Sequence, residues 1–215
     1  MTTDPGRLHV ITDTTVQSRF DAVELAALAA AGGADVVQFR EKRPGARLRR
    51  TVERLCEALA GTGTRLVVND RPDLAAAFGA GVHVGVDDPD AFAARIQVGA
   101  EALVGRTIHD REAAEAWARA PVDYFGVGPF ATSAHATGER SALGREGLAD
   151  LVRLLPRPVL AVGGVDDSNA PEAIEAGAYG VAVLGAVVLA RDPAEATARL
   201  KAVLPHRAEI RETVQ

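Results

Sequence analysis

Short apolar runs alternate with longer stretches of helical spacing along the chain. The runs are Leu8–Ile11, Val36–Phe39, Leu66–Val68, Val82–Val84, Ala102–Val104, Tyr124–Val127, Val159–Val162 and Val181–Leu184. They are rich in Val and Ile and show little polar alternation, the pattern of parallel strands covered on both faces. The intervening periodicity predicts helices over Phe20–Ala31 with Ser18 as N-cap, Leu48–Leu59, Arg71–Phe78, Asp90–Ile96, Arg111–Ala118, Leu148–Leu155, Ser168–Ala176 and Pro193–Leu204. A short helical start is expected at Ala186–Leu189. Eight strand–helix alternations predict one α/β domain, a single (β/α)8 TIM barrel over residues 1–204, followed by a polar tail at 205–215. Gly33, Gly79, Gly99 and Gly177 recur between a helix and the next strand, where a left-handed residue ends a helix.

Composition narrows the class. The 215 residues are 47% hydrophobic and 25% charged, ordinary for a globular domain, and only 4% aromatic, so the core must be built from Ala, Val and Leu. The formal net charge of −5 with no basic block argues against a nucleic-acid partner. The one cysteine, Cys56, excludes an internal disulfide, and its place among Leu48, Val52, Leu55 and Leu59 reads as a small buried apolar residue. Met1–Arg7 is short and polar, and no stretch nears the roughly 20 apolar residues of a membrane span. A cytoplasmic location without a membrane partner is the expectation. The oligomeric state is left open, a homodimer included.

Polar residues gather where the predicted strands end, the face on which barrel enzymes place their sites. The second strand runs into Gln38-Phe39-Arg40-Glu41-Lys42. Alternation puts Gln38 and Arg40 on one side with Lys42 above, and two cations this close call for an anion such as a pyrophosphate, gripped by a planar fork and a point charge. The competing reading is a solvated cluster paired with Glu41. The third and fourth strands end in Asn69-Asp70-Arg71 and in His83-Val84-Gly85 followed by Asp88. Asp70 and Asp88 beside a pyrophosphate suit Mg²⁺, which takes few protein oxygens plus substrate phosphates and water. Taken alone, each reads more readily as a helix cap, and the neighbouring Arg40 and Lys42 turn the reading to the metal. Gly163-Gly164 and Leu184-Gly185 follow the seventh and eighth strands, where barrels often bind phosphate on backbone amides. His109, in Gly105-Arg106-Thr107-Ile108-His109, is either an acid–base group or a structural histidine at a helix start. His9 and His83 lie in strands and are expected in the core or hydrogen-bonded. The longest irregular segment, Gly128–Gly144, follows the sixth strand, and loops of that length are often functional.

Together these segments, with Gly128-Pro129-Phe130, resemble the thiamine-phosphate synthase family and its relatives, the thiazole tautomerases, nearly end to end. The resemblance implies a barrel that couples an aminopyrimidine-methyl pyrophosphate to a thiazole phosphate. It assigns Gln38, Arg40, Lys42 and Asn69 to the pyrophosphate-bearing substrate, with Thr107 also touching it. Asp70 and Asp88 fall to Mg²⁺. Thr132, Gly163, Gly164, Leu184 and Gly185 fall to the thiazole phosphate. One departure stands out. The family's loop after the sixth strand reads Pro-Thr-x-Thr-Lys, and here it is Ala131-Thr132-Ser133-Ala134-His135. His135, only partly charged near neutrality, is a weaker pyrophosphate ligand than lysine, and Arg140 is a candidate to compensate. Two alternatives follow. One is a tautomerase that shifts a proton on the thiazole with His109 as acid and base. The other is a barrel that binds phosphorylated ligands without turnover. The retained Arg40, Lys42, Asp70 and Asp88 favour the synthase.

Overall fold

A computed structural model describes residues 3–43, 47–86, 90–132 and 141–205. Eight parallel strands, β1 (Leu8–Asp13), β2 (Val36–Arg40), β3 (Arg65–Asn69), β4 (Gly81–Val84), β5 (Val104–Ile108), β6 (Tyr124–Val127), β7 (Val159–Val162) and β8 (Gly180–Val183), close into a barrel in sequence order. Closure comes from β1 pairing with β8, Leu8 opposite Val181. The surrounding helices are α1 (Ala22–Ala31), α2 (Leu48–Leu59), α3 (Pro72–Phe78), α4 (Ala91–Val98), α5 (Arg111–Trp117), α6 (Gly144–Leu154), α7 (Ala170–Glu175), the short α8 (Gly185–Val188) and α9 (Pro193–Val203). Among the described residues no helix is long and apolar enough to cross a membrane.

The period of two along each strand divides the core. One set of strand residues, Val10, Val37, Val68, Val82, Val104, Phe125, Ala161 and Val181 among them, packs outward against the helices. The alternate set, Ile11, Val36, Val67, Leu103, Tyr124, Leu160 and Ala182, forms a separate cluster inside the barrel. Continuing the inward set towards the carboxyl ends reaches Asp13, Gln38 and Arg40, Asn69, His83 and Thr107. The register fixes their adjacency: Ile11 lies opposite Gln38, Asp13 opposite Arg40, and Asn69 opposite His83. Tyr124 fits inside the barrel only because β5 carries Gly105, where a Cβ would lie 2.1 Å from the tyrosine ring.

Three predicted boundaries are corrected. The first helix starts two residues later than the pattern implied, and its N-cap is Asp21, not Ser18. The Asp21 carboxylate accepts from Val23 and Glu24 N–H while Glu24 accepts from Asp21 N–H at 2.7 Å, a reciprocal capping box. The fifth strand runs Val104–Ile108 instead of Ala102–Val104. Arg106 and Thr107 read as loop because they are polar, yet Arg106 is buried with its guanidinium 3.5 Å above the Trp117 ring, and Thr107 faces inward to His83. The helix predicted at Leu148 begins at Gly144, where Leu143 and Gly144 N–H are tied to the Pro129 and Phe130 carbonyls. The four glycines between helix and strand all have positive φ, from 65° at Gly79 to 100° at Gly177.

Candidate active site at the carboxyl ends of the strands

The mouth is organised around β2 and β3. Gln38 is 3% exposed and its amide donates to Asn69 Oδ1 at 2.7 Å. Asn69 in turn donates to Asp70, and Lys42 donates to the same carboxylate oxygen. Arg40 pairs with Asp13, a carboxylate that sequence reasoning missed. The five residues from the two strand ends therefore form a chain of polar contacts, Gln38–Asn69–Asp70–Lys42, with Arg40 beside it. Asp13 and Asp70 supply anions to the two cations. Glu41 is not their partner: it accepts from Arg43 Nε at 3.0 Å and from Thr14 at 3.3 Å, and the Arg43 guanidinium holds its carboxyl below the usual range.

Asp70 is the one non-glycine residue with positive φ, 58°, among the described residues. The left-handed region costs an L-residue roughly 1–2 kcal/mol, less for Asp, so something must fix it there. Its Oδ1 accepts from Gly85 N–H at 3.1 Å, across from β4. The capping alternative for Asp70 is thereby set aside, because α3 starts behind Arg71 with no side-chain cap. Asp90 does cap α4, accepting from Phe92 N–H at 3.0 Å. Asp88 lies outside the described residues, as do Ala134, His135 and Arg140.

On the neighbouring arc, His83 links the barrel interior to the mouth. Its Nδ1 bonds the Tyr124 hydroxyl at 3.0 Å and its Nε2 the Thr107 hydroxyl at 2.8 Å. Burial pushes the Tyr124 phenol well above its ordinary range. His83 is thus hydrogen-bonded, as expected, and it orients Thr107. His109 follows β5, and its Nδ1 bonds the Gly128 carbonyl. A carbonyl only accepts, so Nδ1 carries the proton and the neutral ring keeps Nε2 as acceptor.

The opposite side of the mouth is built from glycines. The chain leaving β6 pairs with the end of β7 through Phe130 N–H to Val162 C=O at 2.9 Å and Ala131 N–H to Gly163 C=O at 3.0 Å. A Cβ on Gly163 would sit 2.9 Å from Pro129, and one on Gly164 2.4 Å from the Ala131 carbonyl. Asn169 Nδ2 donates to the Gly164 carbonyl at 2.8 Å, fixing the turn. Thr132 is exposed beyond this pairing. Leu184 packs on the interior cluster, and Gly185 opens α8, whose first amides have no acceptor within the helix. The sequence hides Asp13 because the apolar run of β1 ends at Ile11; carrying the inward alternation of His9 and Ile11 one step further reaches it.

Comparison with known proteins gives a consistent answer. A family model described as thiamine monophosphate synthase matches residues 8–187. The thiamine-phosphate synthase of Salinibacter ruber is 42% identical over 205 residues, covering 93% of this chain and 88% of the relative. The enzyme of the same name from Natronomonas pharaonis is 40% identical over 204 residues, covering 93% and 95%. Among solved structures, the thiamine phosphate pyrophosphorylase of Pyrococcus furiosus superposes with a TM-score of 0.80 at 28% identity, covering 97% of both chains.

Proposed function

The chain belongs to the thiamine monophosphate synthase family, and from that membership we propose that it couples an aminopyrimidine-methyl pyrophosphate to a thiazole phosphate, giving thiamine phosphate and pyrophosphate. The observation that carries the chemistry is the pair of cations Arg40 and Lys42, held beside Gln38 and Asn69 at the ends of adjacent strands. In this reaction the bond from methylene carbon to pyrophosphate oxygen breaks, and its electron pair leaves with the pyrophosphate. The thiazole nitrogen then supplies the pair for the new carbon–nitrogen bond to a pyrimidine-stabilised cation. No base has to remove a proton in either step. The protein must align two substrates and neutralise the departing charge.

Arg40 and Lys42 suit that task because each is already oriented by a carboxylate and partly exposed, with side-chain exposures of 26% and 46%. Gln38 and Asn69 offer amide groups to the polar end of the substrate, and Thr107, oriented by His83, a hydroxyl. Mg²⁺ suits Asp70, a hard oxygen ligand at the mouth beside a lysine, with Asp88 as the second carboxylate. Among the described residues no cluster of three or more His, Cys, Asp or Glu forms a complete metal cage. Mg²⁺ takes few protein oxygens and completes its shell with substrate phosphates and water. When bound, it would neutralise part of the leaving group's charge. The thiazole phosphate is assigned to the Gly163-Gly164 turn, Leu184, Gly185 and Thr132, while His135 and Arg140 are the loop's cationic candidates for the pyrophosphate.

His109 favours a second reading, because an imidazole with Nε2 as acceptor is what a proton shift on the thiazole needs. The two are separated by one experiment. Purified protein is given both precursors and Mg²⁺, and thiamine phosphate is read by chromatography. Mg²⁺-dependent product is expected, retained in His109→Asn and reduced about a hundredfold in kcat for Asp70→Asn, in line with removal of one electrostatic stabiliser. Absence of product, with proton exchange on the thiazole abolished by His109→Asn, would establish the tautomerase instead. Ligand-raised Tm with neither activity would establish a binding protein.

A further inference from the structure

A cavity of about 580 Å³ opens at the opposite, amino-terminal end of the barrel. Its walls are Arg7 just before β1, Asp35 just before β2, Arg65 at the start of β3, Tyr179 just before β8, and Lys201 and Leu204 at the end of α9. The distribution of partners there is uneven. Asp35 is fully engaged: one oxygen accepts from Arg7 and Leu8 N–H, both at 2.9 Å, and the other from Lys201 Nζ at 2.6 Å. Asp4, also on the wall, accepts from Gly6 N–H at 2.9 Å and from the Tyr179 hydroxyl at 2.8 Å. The cations are not matched in the same way. Arg7 is 8% exposed, lies 4.3 Å from the Tyr179 ring centroid and, among the described residues, donates only to a neutral carbonyl, that of Tyr179, while its buried Nε has no partner there. Arg65 enters no ion pair among the described residues.

We propose that this cavity is a second anion site, which takes the phosphate group of a small organic ligand. Two guanidiniums without a carboxylate partner among the described residues, at the end of a closed barrel, favour a dianionic oxyanion, which a planar fork of donors grips in two places. The volume exceeds that of a lone phosphate and falls in the range of small-molecule sites, roughly 300–1,000 Å³. Tyr179 and Leu204 supply an apolar wall for the body of such a ligand. The coupling reaction uses none of these residues, so the inference stands apart from the activity proposed for the mouth.

The test is calorimetric titration with inorganic phosphate as probe, on the full chain, on Arg65→Gln and on the double variant Arg40→Gln/Lys42→Gln that disables the mouth. Saturable binding is expected to survive in the double variant and to weaken at least about tenfold in Arg65→Gln, the scale of one lost charge-assisted pair. Arg65→Gln should keep its coupling kcat within about twofold of the parent. Lys201→Gln, on the outer helix α9, is the second variant should Arg65→Gln fail to fold, and it too should weaken phosphate. Equal phosphate affinity in the parent and a folded variant overturns the site. So does a tungstate soak whose density appears only at the mouth; density between Arg7 and Arg65 supports it.

Discussion

At the residue scale, Asp13 decides how the cationic pair is presented. It is 1% exposed, and a carboxylate so buried is costly unless it is paired and hydrogen-bonded. Thr15 meets that need on one oxygen, through its N–H at 2.8 Å and its hydroxyl at 2.6 Å, and Arg40 on the other. Arg40 is thereby anchored from below with its outer edge open. Asp13→Asn is expected to lower kcat/KM for the pyrophosphate-bearing substrate about tenfold, chiefly through KM, since a charge-assisted contact is worth roughly 1.5–3 kcal/mol. Steady-state kinetics checks this; an unchanged KM in a variant with an unchanged melting profile refutes it. The same neighbourhood shows what was legible. Gln38 and Arg40 were placed correctly because a period of two is visible in the residue types. Asp13 was not, because its membership of β1 rests on hydrogen bonds to β2, not on its own polarity. Asp70 could not be separated from a helix cap in the sequence, because an aspartate before a helix serves either role and the deciding quantity is its φ of 58°.

At the scale of elements, the β6–β7 corner carries the most stringent packing at the mouth. A Cβ on Gly128 would lie 2.0 Å from the Val162 carbonyl oxygen, and Gly164 combines a φ of 70° with a Cβ position 2.4 Å from the Ala131 carbonyl oxygen. Backbone cannot yield there without breaking the pairing that extends β6 towards Thr132. Gly164→Ala is therefore expected to lose about 2–4 kcal/mol of stability, combining steric overlap with left-handed strain. Gly63 is the control: its φ is 80°, but nothing lies within 4 Å of its Cβ position. Gly63→Ala should cost only about 1 kcal/mol. Urea unfolding of both variants gives the comparison, and equal losses would show that strain alone, not close approach, sets the requirement for glycine at 164. Elements themselves were readable wherever both faces of a strand are covered: β6 and β7 match their apolar runs. The fifth strand was misplaced because its residues answer to local partners, Arg106 to Trp117 and Thr107 to His83, which no periodicity announces.

At the scale of the molecule, the closed barrel makes its axis a low-dielectric column between two polar ends, and that column responds to pH. His9 is fully buried on β1, bonded through Nε2 to the Pro5 carbonyl at 2.9 Å and edge-on to Tyr124 at 4.9 Å. Burial, despite that carbonyl, lowers its pKa from 6.5 to about 3, and Coulombic interactions with His83 and Arg65 act in the same direction. Between those two values the unfolded chain binds a proton on His9 that the folded chain refuses, so the sign is fixed. The contribution to stability is complete above pH 6.5 and is lost as pH falls towards 3. The slope is at most about 1.4 kcal/mol per pH unit for one group. Asp35 acts in the same direction further down: burial alone would raise its pKa, but Lys201 and the Leu8 and Arg7 amides outweigh it, so its stabilising share is lost as pH falls through its depressed value. The two are separable by window, because Asp35 contributes no slope above the ordinary carboxylate range. Urea unfolding between pH 7.5 and pH 5, at fixed ionic strength, should show stability falling with pH in the parent. In His9→Asn the curve should start lower and run flatter across the same interval, because the side chain that discriminates between folded and unfolded protonation is gone. A variant slope equal to the parent's would assign the pH dependence to groups other than His9.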